Sequence, residues 1–492
     1  CRSSSRVQSL AMARTLVLAA LLPCALAYGS NCFKLLKEPL EDAPFSPVDM
    51  TKLLEHFRSN LNINGTGAVI ASPGETPALP ASCVGGYRYH WTRDGALSLA
   101  ALLHWGEAFG VLDHEMEALF LRYATWVQDV HDQSAEESAF LEPKWQIDKA
   151  LPYALGWCRP QSDGPPLRAS TLIRAANKWP QHAGRFWKLA RQDLDWLTSM
   201  QSNASIKATN IELLTCDLWE ETTDTNFFWN KAVMRLALLE GVEYAVKVGD
   251  FRRGETYLHA VRTHFDPKLR SHTAWSLFGD YLAECPPQSS SESCRTYRKR
   301  IDGAVILGLI HGRPKDATPS SGSKWAPDAI SVLVANTVKA YNKQFCSLYA
   351  LNREDSAAGV PGVLFGRYAM DKYGTEEKGN PWPLISAALA SLMYQAAIEV
   401  DSGRSLNAQE LRAWQAALNA DAYTFTGSVS DFVAAGDSIL TRIRKHISDE
   451  DGMHVYEQID RNTGKQYNAK DLTWSYAEIL TALALRRTVT SE

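Results

Sequence analysis

The sequence carries little net charge of either sign: 51 Lys and Arg against 55 Asp and Glu leave a formal charge of −4 over 492 residues. It has no basic field of the kind a phosphate backbone selects, so nucleic acid is not an expected partner. Strand signals are few and no βαβ rhythm appears, which argues against a parallel sheet. No segment repeats with a period of roughly 20–50 residues, which argues against an ordinary repeat array. No cysteine or histidine spacing resembles a metal site. The apolar run near the amino end, Leu16–Leu22, is too short to span a bilayer.

That short run fits a different purpose. From Met12, "MARTLVLAALLPCALA" places Arg14 before the apolar stretch and Ala25-Leu26-Ala27 after it, the pattern of a cleaved secretory signal. We expect residues 1–11 to be translated upstream sequence, 12–27 a signal peptide, and the mature chain to begin near Tyr28. A secreted protein with no membrane contact after cleavage follows; a vacuolar or other secretory-pathway compartment is the alternative. Setting aside Cys1 and Cys24 leaves Cys32, Cys83, Cys158, Cys216, Cys285, Cys294 and Cys346. Cys285 and Cys294 bracket the polar loop "CPPQSSSESC", which a disulfide would close in an oxidising compartment. Asn64-Gly65-Thr66 and Asn203-Ala204-Ser205 are glycosylation sequons, meaningful only on that route.

What the chain does have is helical periodicity from end to end. Apolar residues recur at three- and four-residue intervals over Gly95–His104, Glu115–Val127, Leu172–Ala175, Arg185–Met200 and Phe228–Val248, and again over Asp328–Tyr341, Leu384–Val400, Ala408–Leu418, Val429–Ile447 and Asp471–Arg486. "WPLISAALASLMYQAAIEV" is almost wholly apolar or small, as a helix buried on most sides should be. The pattern predicts an all-α toroid or solenoid of paired helices in one domain. Its 15 tryptophans exceed what the core needs and cluster in loops, where function is expected.

One loop is "CDLWEETTDTN", residues 216–226. Asp217-x-x-Glu220 has the spacing of a capping box, but Thr222 to Asn226 favour turns and delay the helix to about Asp224–Phe227. Capping therefore leaves Asp217, Glu220 and Glu221 unexplained. Other loops share the texture: "GGYRYHWTRDGA", "EPKWQIDKALPYALGWCRPQSDGPPLRA", "FGRYAMDKYGTEEKGNPWP" and "HVYEQIDRNTGKQYNAKDLTWSYAEIL" each combine charge with aromatic rings. Carboxylates and guanidinium groups bind fixed hydroxyls directionally, and aromatic faces cover the C–H surface of a sugar ring. Glycosidic cleavage needs one protonated and one ionised carboxyl group. Glu220 and Glu457 are the candidates, and a carboxylate at Asp217 or Glu221 would favour the protonated form of Glu220.

Taken together, Trp91-Thr92-Arg93-Asp94, Glu142-Pro143-Lys144, Arg159-Pro160-Gln161, Asp217-Leu218-Trp219-Glu220-Glu221, Gly366-Arg367-Tyr368, Asn380-Pro381-Trp382 and Asp471-Leu472-Thr473-Trp474 resemble, in order, the glucoamylases of glycoside hydrolase family 15. The resemblance runs from about residue 50 to 487, after an N-terminal segment at 28–49, and finds no starch-binding module. It implies an (α/α)6 barrel with its active site in a loop-lined dead-end pocket. Matched position by position, it implies Glu220 as general acid, Glu457 as general base and Asp217 as a supporting carboxylate. It implies substrate contacts from Tyr87, Trp91, Arg93, Asp94, Lys144, Trp157 and Arg159, and from Trp219, Glu221, Arg367 and Trp382. Two positions depart from the fungal pattern: Asn468 replaces a serine near the base, and Cys158 a glycine beside the pocket tryptophan. The implied activity is inverting release of β-D-glucose from non-reducing ends of starch, glycogen and malto-oligosaccharides by a monomer without metal or cofactor. Cleavage of trehalose, dextran or isomaltose in the same barrel, or a non-catalytic carbohydrate-binding barrel, are the alternatives.

Overall fold

The computed structural model describes residues 31–74, 86–133, 141–199, 210–276, 279–296, 301–313, 327–374 and 378–490. The signal peptide, the start near Tyr28, Cys83 and the Asn203 sequon lie outside the described residues. The principal helices are α1 (Pro47–Ser59), α2 (Thr92–Phe109), α3 (His114–Gln133), α4 (Gly164–Lys178), α5 (Ala183–Thr198), α6 (Phe228–Lys247) and α7 (Phe251–Ala260). They continue with α8 (Ala304–His311), α9 (Val332–Leu348), α10 (Pro383–Asp401), α11 (Ala408–Ala417), α12 (Val429–Lys445) and α13 (Thr473–Thr490).

Contacts between helices close a ring. α2 packs on α4, α4 on α6, α6 on α8, α8 on α10, α10 on α13, and α13 returns to α2. Outside that ring, α5 packs on α4, α7 on α6, α12 on α10 and α1 on α13, with α3 against α5 and α9 against α11. This is an (α/α)6 barrel. Composition sorts the two layers. α10 buries Leu384, Ile385, Leu389, Leu392 and Met393. Its length and hydropathy would suit a membrane span, but 83% of that stretch is buried inside the barrel, so it is a core helix. Outer helices carry one apolar face and cap themselves. Ser46 and Asp49 form a capping box on α1, Asn407 and Glu410 on α11, and Ser428 and Asp431 on α12.

The inner helices begin differently. Trp91, Phe227 and Trp382 precede α2, α6 and α10 and supply no side-chain cap. These N-terminal ends, which carry partial positive charge, gather at one end of the barrel. The loops that enter them hold short two-stranded ribbons: β1 (His90–Trp91) with β2 (Lys144–Trp145), and β3 (Thr215–Cys216) with β4 (Thr223–Asp224). A further ribbon pairs Gln458–Ile459 with Gln466–Tyr467.

Periodicity located α2, α3, α5, α6 and α9 to α13, but not α1, α7 or α8. For α4 it marked only Leu172–Ala175, because Gly164-Pro165-Pro166 reads as a loop. Prolines are tolerated in a first turn, whose N–H groups need no partner within the helix, and the helix starts at Gly164. Three disulfides join Cys32 to Cys346, Cys158 to Cys216 and Cys285 to Cys294, the last as its short loop predicts.

Candidate active site

The ribbons aim the carboxylates. Pairing of Thr215 with Asp224 and of Cys216 with Thr223 leaves residues 217–222 as a hairpin tip. Asp217 folds that tip: its Oδ1 accepts the backbone N–H groups of Glu221 at 2.8 Å and Thr222 at 2.9 Å. Glu220 sits at the turn with φ +63°, a left-handed conformation that costs a non-glycine residue free energy and concentrates at functional sites.

Donors then converge on Glu220. Trp91 Nε1 donates to Oε1 at 3.0 Å, Gln161 Nε2 to Oε1 at 2.8 Å, Arg93 Nη2 to Oε1 at 3.3 Å and Trp157 Nε1 to Oε2 at 2.8 Å. The rings are fixed by Lys144. Its Nζ lies over Trp157 at 3.9 Å, Tyr153 at 4.1 Å, Trp91 at 4.4 Å and Tyr89 at 4.6 Å, a cation held by aromatic faces. Register explains the placement, since Trp91 pairs with Lys144 across β1 and β2. Trp157 is tethered by the disulfide of the next residue, Cys158, to Cys216 at the hairpin base.

Glu457 approaches from the loop before α13. Its backbone N–H bonds to Ala469 O at 2.9 Å. Tyr87 donates to its Oε1 at 2.8 Å, and the Asn468 amide donates to its Oε2 in a very short contact. Burial pushes this carboxyl up to about 7, while the hydrogen bonds from Tyr87 and Asn468 and the charge of Arg367 pull it down.

Both acids face a cavity of about 320 Å³. Tyr87, Trp91, Arg93, Asp94, Lys144 and Trp157 line it, as do Trp219, Glu221, Arg367 and Trp382. Arg367 is buried among Tyr373 at 5.0 Å and Trp219 and Trp382 at 5.4 Å, and donates to Glu221 and Asp371 at 2.8 Å. Tyr368 donates to the other oxygen of Glu221. Burial pushes Asp94 up to about 6; Arg93 opposes this, and the carboxylates of Glu220 and Asp163 add to it.

Asp217 and Arg159 do not line the cavity. Asp217 shapes the turn, and Arg159 holds Glu142, with Nη2 donating to Oε1 at 2.9 Å. Asp217 bonds to the hairpin backbone, and Glu221 to Arg367 and Tyr368. Glu220 is met by donors, and its charge favours the protonated forms of Asp94 and Glu142. Residues that the site reading left unassigned are Tyr373, Trp474 and Leu472 in the wall, and Gln161, Asp163 and Tyr368 behind it. Trp474 and Gln161 stood in motifs already singled out; Tyr373 stood in a loop whose fold no spacing reveals.

Two buried polar atoms of the wall make no hydrogen bond: Trp382 Nε1, and Asp94 Oδ2, which meets only the Arg93 guanidinium, with Nε at 3.3 Å. Leaving such groups unpaired costs about 1–3 kcal/mol each, and hydroxyls of a ligand would satisfy them. Among the described residues, the one cluster of histidine and carboxylate groups at metal-ligand range involves His56, His454 and Asp471, outside this wall.

Comparison with known proteins agrees with this architecture. The family model described as glycosyl hydrolases family 15 matches residues 58–484. The chain belongs to that family, and is thereby a glucoamylase-like glycoside hydrolase. It is 28% identical over 461 residues to a glucoamylase of Blastobotrys adeninivorans, covering 87% of this chain and 69% of the relative. It is 27% identical over 464 residues to glucoamylase-1 of Schizophyllum commune, covering 90% and 73%. The structure of the glucoamylase from Saccharomycopsis fibuligera superposes with a TM-score of 0.73 at 21% identity, covering 94% of this chain and 98% of that one. The family 15 glucoamylase from Hypocrea jecorina gives 0.72 at 25% identity, covering 90% and 72%.

Proposed function

We propose that this protein removes single glucose units from non-reducing ends of starch, glycogen and malto-oligosaccharides, cutting α-1,4 bonds and, more slowly, α-1,6 bonds. The observation that carries the reading is one cavity that brings Glu220 and Glu457 together from separate loops, beside buried Asp94 and Trp382 atoms that make no hydrogen bond. Glu220 gives its proton to the glycosidic oxygen as the bond to the anomeric carbon breaks. Glu457 takes a proton from water, whose oxygen attacks that carbon from the opposite face. The product is then β-D-glucose, and each acid is restored by exchange with solvent. Arg93, Asp94 and Arg367 grip the terminal sugar's hydroxyls, while Trp91, Trp219 and Trp382 cover its ring. Asp217, Lys144 and Arg159 act through the loops they hold.

The same reading makes the protein a secreted monomer, trimmed near Ala27 and glycosylated at Asn64 and Asn203. The disulfides support an oxidising compartment, and Asn64 is exposed. Glucose release from maltoheptaose, soluble starch, isomaltose, dextran and trehalose tests the substrate class. Fastest release from maltoheptaose is expected. Preference for trehalose or dextran, or no release from any of them, would overturn the proposal.

A further inference from the structure

Outside the sugar pocket, His56 on α1, His454 ahead of the Glu457 loop and Asp471 ahead of α13 offer ligand atoms within 4.8 Å of one another. His56 lies almost the whole chain away from the other two, so no spacing in the sequence could mark the three together. Two imidazoles and a carboxylate are the donor set of zinc and neighbouring late first-row ions. We infer that these residues form a binding site for a divalent transition-metal ion, with zinc the best match.

The surroundings of each donor support this. His56 Nε2 faces the Gly452 carbonyl at 3.0 Å. If that nitrogen carries the proton, Nδ1 is left with its lone pair, and a carbonyl that fixes the ring in this way is the usual support of a metal-bound histidine. Asp471 is oriented by Tyr476, whose hydroxyl donates to Oδ1 at 2.5 Å. His454 Nδ1 already lies 2.7 Å from the same Oδ1, a contact that an ion would replace. The His56 and His454 rings stack with centroids 4.0 Å apart. His454 and Asp471 keep 25% and 12% of their side chains exposed, which leaves an open route and room for water ligands. Zinc–nitrogen bonds of about 2.0–2.1 Å require ligand atoms roughly 3.3 Å apart, so the widest pair must close by up to about 1.5 Å while His454 Nδ1 and Asp471 Oδ1 move apart.

An ion here would clip α1 to both ends of the loop that carries the base. His454 is three residues before Glu457, and Asp471 three residues after Asn468. Binding to the folded state alone raises its stability by mass action, and loss of any ligand weakens it.

The test uses the full chain, stripped with EDTA and titrated with zinc chloride by calorimetry, with parallel thermal scans. One saturable equivalent and a rising Tm are expected. His56→Phe keeps the ring stack but removes a ligand and should weaken binding at least tenfold, as should His454→Gln. Cobalt in place of zinc should give the visible bands of a low-coordinate nitrogen–oxygen site in the wild type and not in His56→Phe. No saturable uptake by the wild type, or uptake by both variants as tight as the wild type's, would overturn the site.

Discussion

Glu220 and Glu457, two of the pocket's carboxylic acids, are held in opposite ways. Glu220 keeps 15% of its side chain exposed and receives four side-chain donors on a hairpin tethered by a disulfide. Glu457 is 3% exposed and rests on Tyr87 and Asn468, in a loop joined by the His454–Asp471 pair. Burial alone would make Glu457 the protonated member of the pair. Its two donors favour the carboxylate. The contrast is between two kinds of support: one loop fixes its carboxyl group in space, the other adjusts the charge of its own.

The sharpest way to break that contrast is to remove each acid in turn. Glu220→Gln cannot donate a proton, and turnover of maltoheptaose should fall by about 10²–10⁴-fold or more with binding largely kept. Glucosyl fluoride, whose leaving group needs less protonation, should be spared part of that loss in steady-state assays. Glu457→Gln should lose a similar factor, with azide restoring part of it, because a small anion can attack where activated water cannot. Fluoride rescue of Glu457→Gln and azide rescue of Glu220→Gln would exchange the two roles.

The same variant should separate stability from activity. A carboxyl raised from 4.5 to about 7 in the fold contributes stability that is complete below 4.5 and is lost as pH rises through 7. Glu457→Gln is neutral throughout, so its unfolding free energy should match the wild type at pH 4 and exceed it above pH 7, by up to about 3 kcal/mol. Cutting the hairpin tether should act the other way. Cys158→Ala with Cys216→Ala should cost about 2–4 kcal/mol in denaturant titrations and slow turnover, since Trp157 loses its anchor.

Smaller shifts probe the base alone. Tyr87→Phe and Asn468→Ala each remove a donor that favours the Glu457 carboxylate, so its pKa should rise. The acid limb of kcat/KM should then move to higher pH by roughly half a unit to one unit. A limb that stays in place in both variants would separate Glu457 from the ionisation that governs rate.

The barrel was legible because periodicity and apolar content report burial directly: α10 could be little else than a core helix. The helices missed were of other kinds. α8 is short and buried on nearly every residue, so it shows no face. α1 follows a loop rich in Pro and charge, and α7 is a short helix three residues after α6 that runs on into a π-helical turn at Val261–Phe265. Twelve of the fourteen expected site residues line the cavity, since charge and tryptophan together in a loop have few structural uses. Asp217 and Arg159 are the other two, because a carboxylate that folds a turn reads the same as one that faces a sugar. The Cys158–Cys216 bond was not legible either, with its partners 58 residues apart in a sequence of nine cysteines.

The central claim is a single displacement in which Glu457 delivers water while Glu220 protonates the leaving oxygen. Proton NMR of maltose hydrolysis, recorded before mutarotation mixes the anomers, tests it most directly. The account predicts that β-glucose appears first and α-glucose only as the anomers equilibrate. First-formed α-glucose would mean a covalent double displacement and would contradict it.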